Sequence, residues 1–377
     1  MEFPSTQLRC SVHIDLYALE RNLGRIRNFL PNAQSYIALV AADAFGIGIE
    51  AAVARLMLSG ADAFAVTNLA EAKRVRRIGP GWPVIALSAS LPGEEKTFLE
   101  HDIIPTISSL EEAERFCKMA ADIGGIHTVH MKLPAAPHQV STPDAAQAQK
   151  ILDMLLNCKN LRLGAFCLSG AGTGVPEENA LPDCAFLEFA REKTKGLDVY
   201  IHHGDIFDPA SIPCTFKTSL RAGLVLFGVA PAASSILRDF KPESILTFRA
   251  AISHVKRLPK GAYVGYSKTC RVEKDSIIAL LAAGYGDGLA RNAGGRAKVI
   301  IRDTFAPLVG IVSMDQAAVD ASAIAGITLN DEAIVIGASA SCNISIEDYC
   351  GALGISPAEA LTSITQRVPR FYTQSNV

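Results

Sequence analysis

The sequence has no CxxC pair and no histidine–cysteine set at metal-ligand spacing, which removes zinc ribbons and thioredoxin-like redox motifs from consideration. No metal is expected. It has no basic cluster interleaved with aromatic residues, and its 36 Lys and Arg nearly balance 38 Asp and Glu, so nucleic acid is not an expected partner. No apolar run is long enough to span a bilayer. The opening MEFPSTQLRCSVHIDL lacks a basic segment followed by an apolar one, so no leader is read there and the expectation is a cytoplasmic protein. Nine scattered cysteines, an odd count, predict reduced and mostly buried thiols.

What is present is an ordinary globular composition, 49% hydrophobic with a net charge of -2, over 377 residues, enough for two domains. Eight short apolar runs alternate with helical patterns from Tyr36 onward: YIALVA, AFAV, PVIALS, IIPTI, TVHMKL, LRLGAFCL, VYIHH and GLVLFG. Eight such alternations predict a parallel (β/α)8 TIM-type barrel over residues 12–240, an α/β architecture. After Lys241 the runs become strand-like and the helices short. A mainly β C-terminal domain is therefore expected over 241–377, with residues 1–11 packing on it.

The stretch VAADAFGIG, from Val40 to Gly48, closes the first barrel strand, and a residue at such a strand end is where a barrel enzyme places its chemistry. The residue there is Ala41. Further along come SLRAGLVLFGVAP, YVGYSKTC, GYGDGLAR, IVSMDQ and QRVPR, in that order. Together with the barrel and β domain, these segments resemble the alanine racemase family, the fold-type III pyridoxal phosphate enzymes, over nearly the whole chain.

The resemblance implies a homodimer with head-to-tail shared sites and a role for each matching residue. Arg221 matches the arginine facing the pyridine nitrogen, while Gly223 and Leu224 match backbone that helps hold the phosphate. Tyr266 matches the catalytic tyrosine; Tyr285, Asp287 and Arg291 match the entryway; Met314 and Asp315 match a methionine loop. Lys132 matches a lysine carbamylated in many relatives. Against this, Ala41 stands where the family has its Schiff-base lysine. Phe45, Ile206 and Gln366 replace phosphate-facing hydroxyls, Leu168 replaces the ring-stacking histidine, and Ile311 replaces an arginine.

A hydrogen bond to a charged group contributes roughly 1.5–3 kcal/mol, so three missing hydroxyls predict a site that no longer holds pyridoxal phosphate. No cofactor is expected. Racemisation needs a base on each face of the Cα carbanion and an electron sink, and Tyr266 alone supplies neither the second base nor the sink. Three readings stay open: a small-anion-binding or regulatory protein, an enzyme of another class reusing the barrel mouth, and a racemase in which alanine has been substituted for lysine at position 41. The polar set Arg221, His202, His203, Asp205 and Lys132 is the candidate anion site. The loop SGAGTG, from Ser169 to Gly174, offers backbone N–H groups without a dinucleotide spacing, and Cys167 reads as a buried thiol.

Overall fold

The structure, a computed structural model, describes residues 8–134, 143–168, 183–205, 216–265 and 268–373. Eight parallel strands close the barrel: β2 (Tyr36–Leu39), β3 (Ala63–Val66), β4 (Val84–Ala86), β5 (Ile103–Ile107), β6 (His127–Lys132), β7 (Leu161–Cys167), β8 (Tyr200–Gly204) and β9 (Thr218–Ala222). Pairing of Tyr36 with Leu220 and of Ile37 with Arg221 closes the ring. Four of the intervening helices start on Asn68, Ser109, Asp144 and Asp183, each accepting a backbone N–H three residues on. That satisfies one of the donors a helix start leaves unpaired.

The strand ahead of the barrel, β1 (Cys10–Asp15), belongs to a different sheet. It lies antiparallel to β10 (Leu246–Leu258) and parallel to the C-terminal strand Arg370–Thr373, inside a nine-stranded sheet. Asp15 ends β1 and caps the next helix, accepting from Tyr17 and Ala18, so the chain passes from the β region into the barrel without a linker. The runs SIIALLAAG, AKVIIRDTFAPLVGIV, AAVDAS and EAIVIGA all contribute strands to the same sheet.

Two expectations are corrected. The eighth barrel strand is Thr218–Ala222, and GLVLFG is a buried chain of turns in which Gly223, Leu224 and Val225 carbonyls accept from residues three further on. The true strand aims Ser219 and Arg221 into the barrel, so it carries no apolar run to mark it, while GLVLFG is apolar because it packs under the first helix, where Asn22 donates to the Leu226 carbonyl at 3.1 Å. Nor are all thiols reduced. Cys117 and Cys158 are joined in a disulfide between two neighbouring barrel helices, with Cα atoms 6.0 Å apart. Such a span suits a disulfide, and a separation of 41 residues leaves no pattern to read. Of the other described cysteines, Cys10, Cys167 and Cys350 are buried; Cys184 is exposed; Cys270 and Cys342 are half-buried. Cys214 lies outside the described residues. Among the described residues, no helix is long and apolar enough to cross a membrane.

Candidate functional site

The barrel interior has two halves. Alternation along β2 to β5 turns Ile37, Leu39, Ala63, Ala65, Ile85, Leu87 and Ile104 inward as an apolar cluster separate from the main core. The other half is polar. One layer pairs Thr106 with His130, His130 with Ala165 and Ala165 with Tyr200. The layer above pairs Lys132 with Cys167, Cys167 with His202 and His202 with Ser219. A bulge at Gly164 makes room, since a Cβ there would stand 2.7 Å from Thr128 Cγ2 and 3.4 Å from the His130 ring.

Arg221 is the hub of this polar half. Its Nη1 donates to His202 Nδ1 at 2.7 Å and to the His202 carbonyl at 2.8 Å, while Nη2 donates to the Leu168 carbonyl at 2.8 Å. Because Nδ1 of His202 accepts, its proton sits on Nε2 and is donated to His130 Nδ1 at 3.0 Å. Both rings are fully buried and neutral. Burial, followed by the Arg221 charge, pushes His130 down to about 3 and holds His202 well below the ordinary histidine range. Arg221 itself is only 7% exposed, and no described carboxylate lies within ion-pair distance of it. Asp205 feels its field, but turns its carboxylate to Ser235 Oγ at 3.1 Å. His203 bonds the Gly204 carbonyl. The expected convergence of His202, His203 and Asp205 therefore reduces to His202 alone, because adjacent strand residues point to opposite faces. The residues that sequence reasoning missed are His130 and Thr106, whose inward direction depends on the strand register.

Lys132 is 6% exposed and makes no hydrogen bond or ion pair among the described residues. Burial, partly opposed by Cys167 and Glu112 and reinforced by Arg221, lowers its pKa.

At the end of β2, Ala41 is 8% exposed, and the residues after it fold into a left-handed turn: Ala42, Asp43, Ala44 and Phe45 have φ of 52, 58, 54 and 54°. A left-handed conformation costs about 1–2 kcal/mol for each residue bearing a Cβ, so the turn persists only because its surroundings hold it. Glu71 accepts from Asp43 N at 2.9 Å, Arg74 bonds the Asp43 carboxylate at 2.7 Å, and Arg370 and Tyr372 bond the Gly46 and Ile47 carbonyls, both at 2.8 Å. The Phe45 ring turns inward against Phe227, centroids 5.2 Å apart, and its Cζ is 3.7 Å from where a Cβ on Gly223 would stand.

In the β region, Tyr285 N and Gly286 N donate to the Ser313 and Met314 carbonyls at 2.9 Å, joining GYGDGLAR to VSMDQ. Arg367 fastens both, bonding Asp287 and Asp315, each at 2.8 Å. Val312 N donates to the Arg291 carbonyl, and Tyr285, Arg291 and Met314 present exposed side chains. Gln366 is exposed in the turn beside Arg367. Tyr266, Ile206 and the loop Ser169–Gly174 lie outside the described residues.

The alanine racemase N-terminal domain matches residues 14–231, and the alanine racemase C-terminal domain matches residues 245–372. The chain belongs to the alanine racemase family. It is 31% identical over 369 residues to the alanine racemase of Clostridium novyi, covering 96% of this chain and 95% of that one. The alanine racemase of Clostridium tetani is 29% identical over 371 residues, covering 95% and 94%. Among solved structures, alanine racemase of Clostridium difficile 630 superposes with a TM-score of 0.85 at 22% identity, covering 98% of this chain and 97% of that one. Bartonella henselae alanine racemase, solved with covalently bound pyridoxal phosphate, gives a TM-score of 0.83 at 19% identity, covering 97% and 100%.

Pyridoxal phosphate would need an amine at the strand end and hydrogen-bond donors for its phosphate. The strand end that would carry an amine carries the methyl of Ala41, and the space beside Gly223 is lined by the Phe45 ring and Leu39. An apolar ring lining that space offers a dianion no hydrogen bond. These residues do not fit the group.

Proposed function

We propose that this alanine racemase family member does not racemise alanine and binds a small anion at the barrel mouth. The observation that carries this reading is Arg221, a buried guanidinium with no described carboxylate in ion-pair range. A buried charge without a counter-charge is costly, and a small carboxylate supplies one. His202 fixes the guanidinium plane from behind, so an anion meets an oriented donor. Lactate, a small carboxylate, is the probe. Calorimetry on Arg221→Ala should show lactate binding weakened by about 1.5–3 kcal/mol; affinity indifferent to Arg221 would show that the ligand sits elsewhere.

The same reading keeps the family's head-to-tail homodimer. The exposed Tyr285 and Met314, at 41% and 53%, sit on the rigid lock made by GYGDGLAR and VSMDQ and offer apolar surface for such a contact. Sedimentation at micromolar concentration should give a dimer. A clean monomer would remove the shared site.

A further inference from the structure

Lys132 differs from the other buried polar residues of the barrel interior in how its head group is held. It ends β6 on the polar side of the interior, more than nine-tenths buried, with no hydrogen-bond or ion-pair partner among the described residues. A structural lysine at that depth would hold a carboxylate, yet the nearby buried one, Glu112, is already occupied. Its oxygens accept from Ser90 N and Oγ and from Ser108 N and Oγ at 2.7–3.1 Å. The amine's neighbour across the ladder is Cys167, and Cys167 Sγ is 3.6 Å from Arg221 Nη1. One side chain thus separates a lone amine from the proposed anion site. A lysine desolvated beside a fixed cation is the setting in which an amine is uncharged and nucleophilic near neutral pH.

We propose that Lys132 forms an imine with a 2-oxo acid whose carboxylate is held by Arg221; this inference rests on the anion-site reading above. A 2-oxo acid carries its ketone carbon directly beside the carboxylate, and the strand neighbour of Cys167, which touches Arg221, is Lys132. The amine lone pair attacks that carbon and the carbonyl electron pair moves to oxygen, giving a carbinolamine. Both amine hydrogens then leave with that oxygen as water, and the nitrogen keeps a double bond to carbon. No oxidant or further reactant is required. Burial, which outweighs the opposing pull of Cys167 and Glu112, lowers the amine's proton affinity and keeps a larger share of Lys132 reactive than of the surface lysines.

The experiment uses the full chain with pyruvate and borohydride, which adds hydride to the imine and fixes it as a secondary amine. Intact mass and peptide mapping locate the adduct. The expected result is one reduced pyruvyl group per chain, on Lys132, formed at neutral pH at least tenfold faster than on any other lysine. Lys132→Met should abolish it, and lactate, which has the carboxylate and no ketone, should bind the wild type without forming an adduct. Because mapping is done on the wild type, the outcome does not depend on the variant folding. Lactate binding without a Lys132 adduct overturns the imine and leaves the anion site standing. Neither lactate binding nor an adduct overturns the anion site as well. An adduct on Cys167, or one spread evenly over surface lysines, also overturns the proposal.

Discussion

The turn after β2 and the loop pair of the β region both match family segments, and they match in different ways. In the β region, backbone and polar side chains hold one another: Gly284 and Gly286 admit the Ser313–Met314 backbone, and Arg367 ties Asp287 to Asp315. In the turn, the backbone is held as firmly, but the side chains at the strand end are apolar. Gly46, Gly48 and a left-handed Asp43 are locked by Glu71, Arg74 and Arg370, while Ala41 and Phe45 present a methyl and a ring. The difference separates residues that hold the chain from residues that act on a substrate. A fold tolerates loss of the second kind, because neither the methyl of Ala41 nor the ring of Phe45 leaves a buried polar group unpaired.

If that division is right, glycine substitutions should hurt in both regions. Gly284→Ala is the most damaging, since its Cβ would stand 2.2 Å from the Ser313 carbonyl oxygen and 2.4 Å from that of Met314. Overpacking against backbone of this kind costs about 3 kcal/mol or more, read as a lower urea midpoint. Gly46→Ala meets the Leu361 carbonyl oxygen at 2.6 Å with φ at 77°, and should cost about 2–3 kcal/mol. A neutral result at Gly46 would mean that the turn is not held by the β region, and the comparison would fail there.

A smaller effect sharpens the view of the polar half of the barrel. His130 and His202 are neutral when folded, with pKa values below the ordinary value of about 6.5 that each regains on unfolding. Below that pH the unfolded chain binds protons that the folded chain does not. Stability is therefore full above about pH 6.5 and declines as pH falls toward the folded values, by about 1.4 kcal/mol per pH unit for each histidine. Denaturant titrations between pH 6 and 5 should show this slope, and His130→Gln should reduce it by one proton. A slope unchanged by that variant would mean that His130 is protonated in the folded protein.

Much of the fold was legible because periodicity reports burial. Seven of the eight predicted runs contain a barrel strand, since a strand between helices and an apolar interior must itself be apolar. The eighth was misplaced where that rule stops holding, at a strand carrying Ser219 and Arg221 inward. The site was legible only in part. Ala41, Phe45 and Arg221 could be placed by motif, but which polar residues meet depends on strand register and on the bulge at Gly164, neither of which leaves a local signal. His130 emerged only from its pairing with Thr106 and Ala165, and the unpaired amine of Lys132 only from its burial at the end of β6. The disulfide between Cys117 and Cys158 was hidden for the same reason.

Departure from racemase chemistry is tested most directly by incubating the purified wild type with pyridoxal phosphate, dialysing it, recording its absorbance and assaying D-alanine formation from L-alanine. We expect colourless protein and no D-alanine, and no D-alanine from Ala41→Lys either, because Phe45 still lines the space beside Gly223. A yellow wild-type protein that survives dialysis and forms D-alanine would contradict the reading outright.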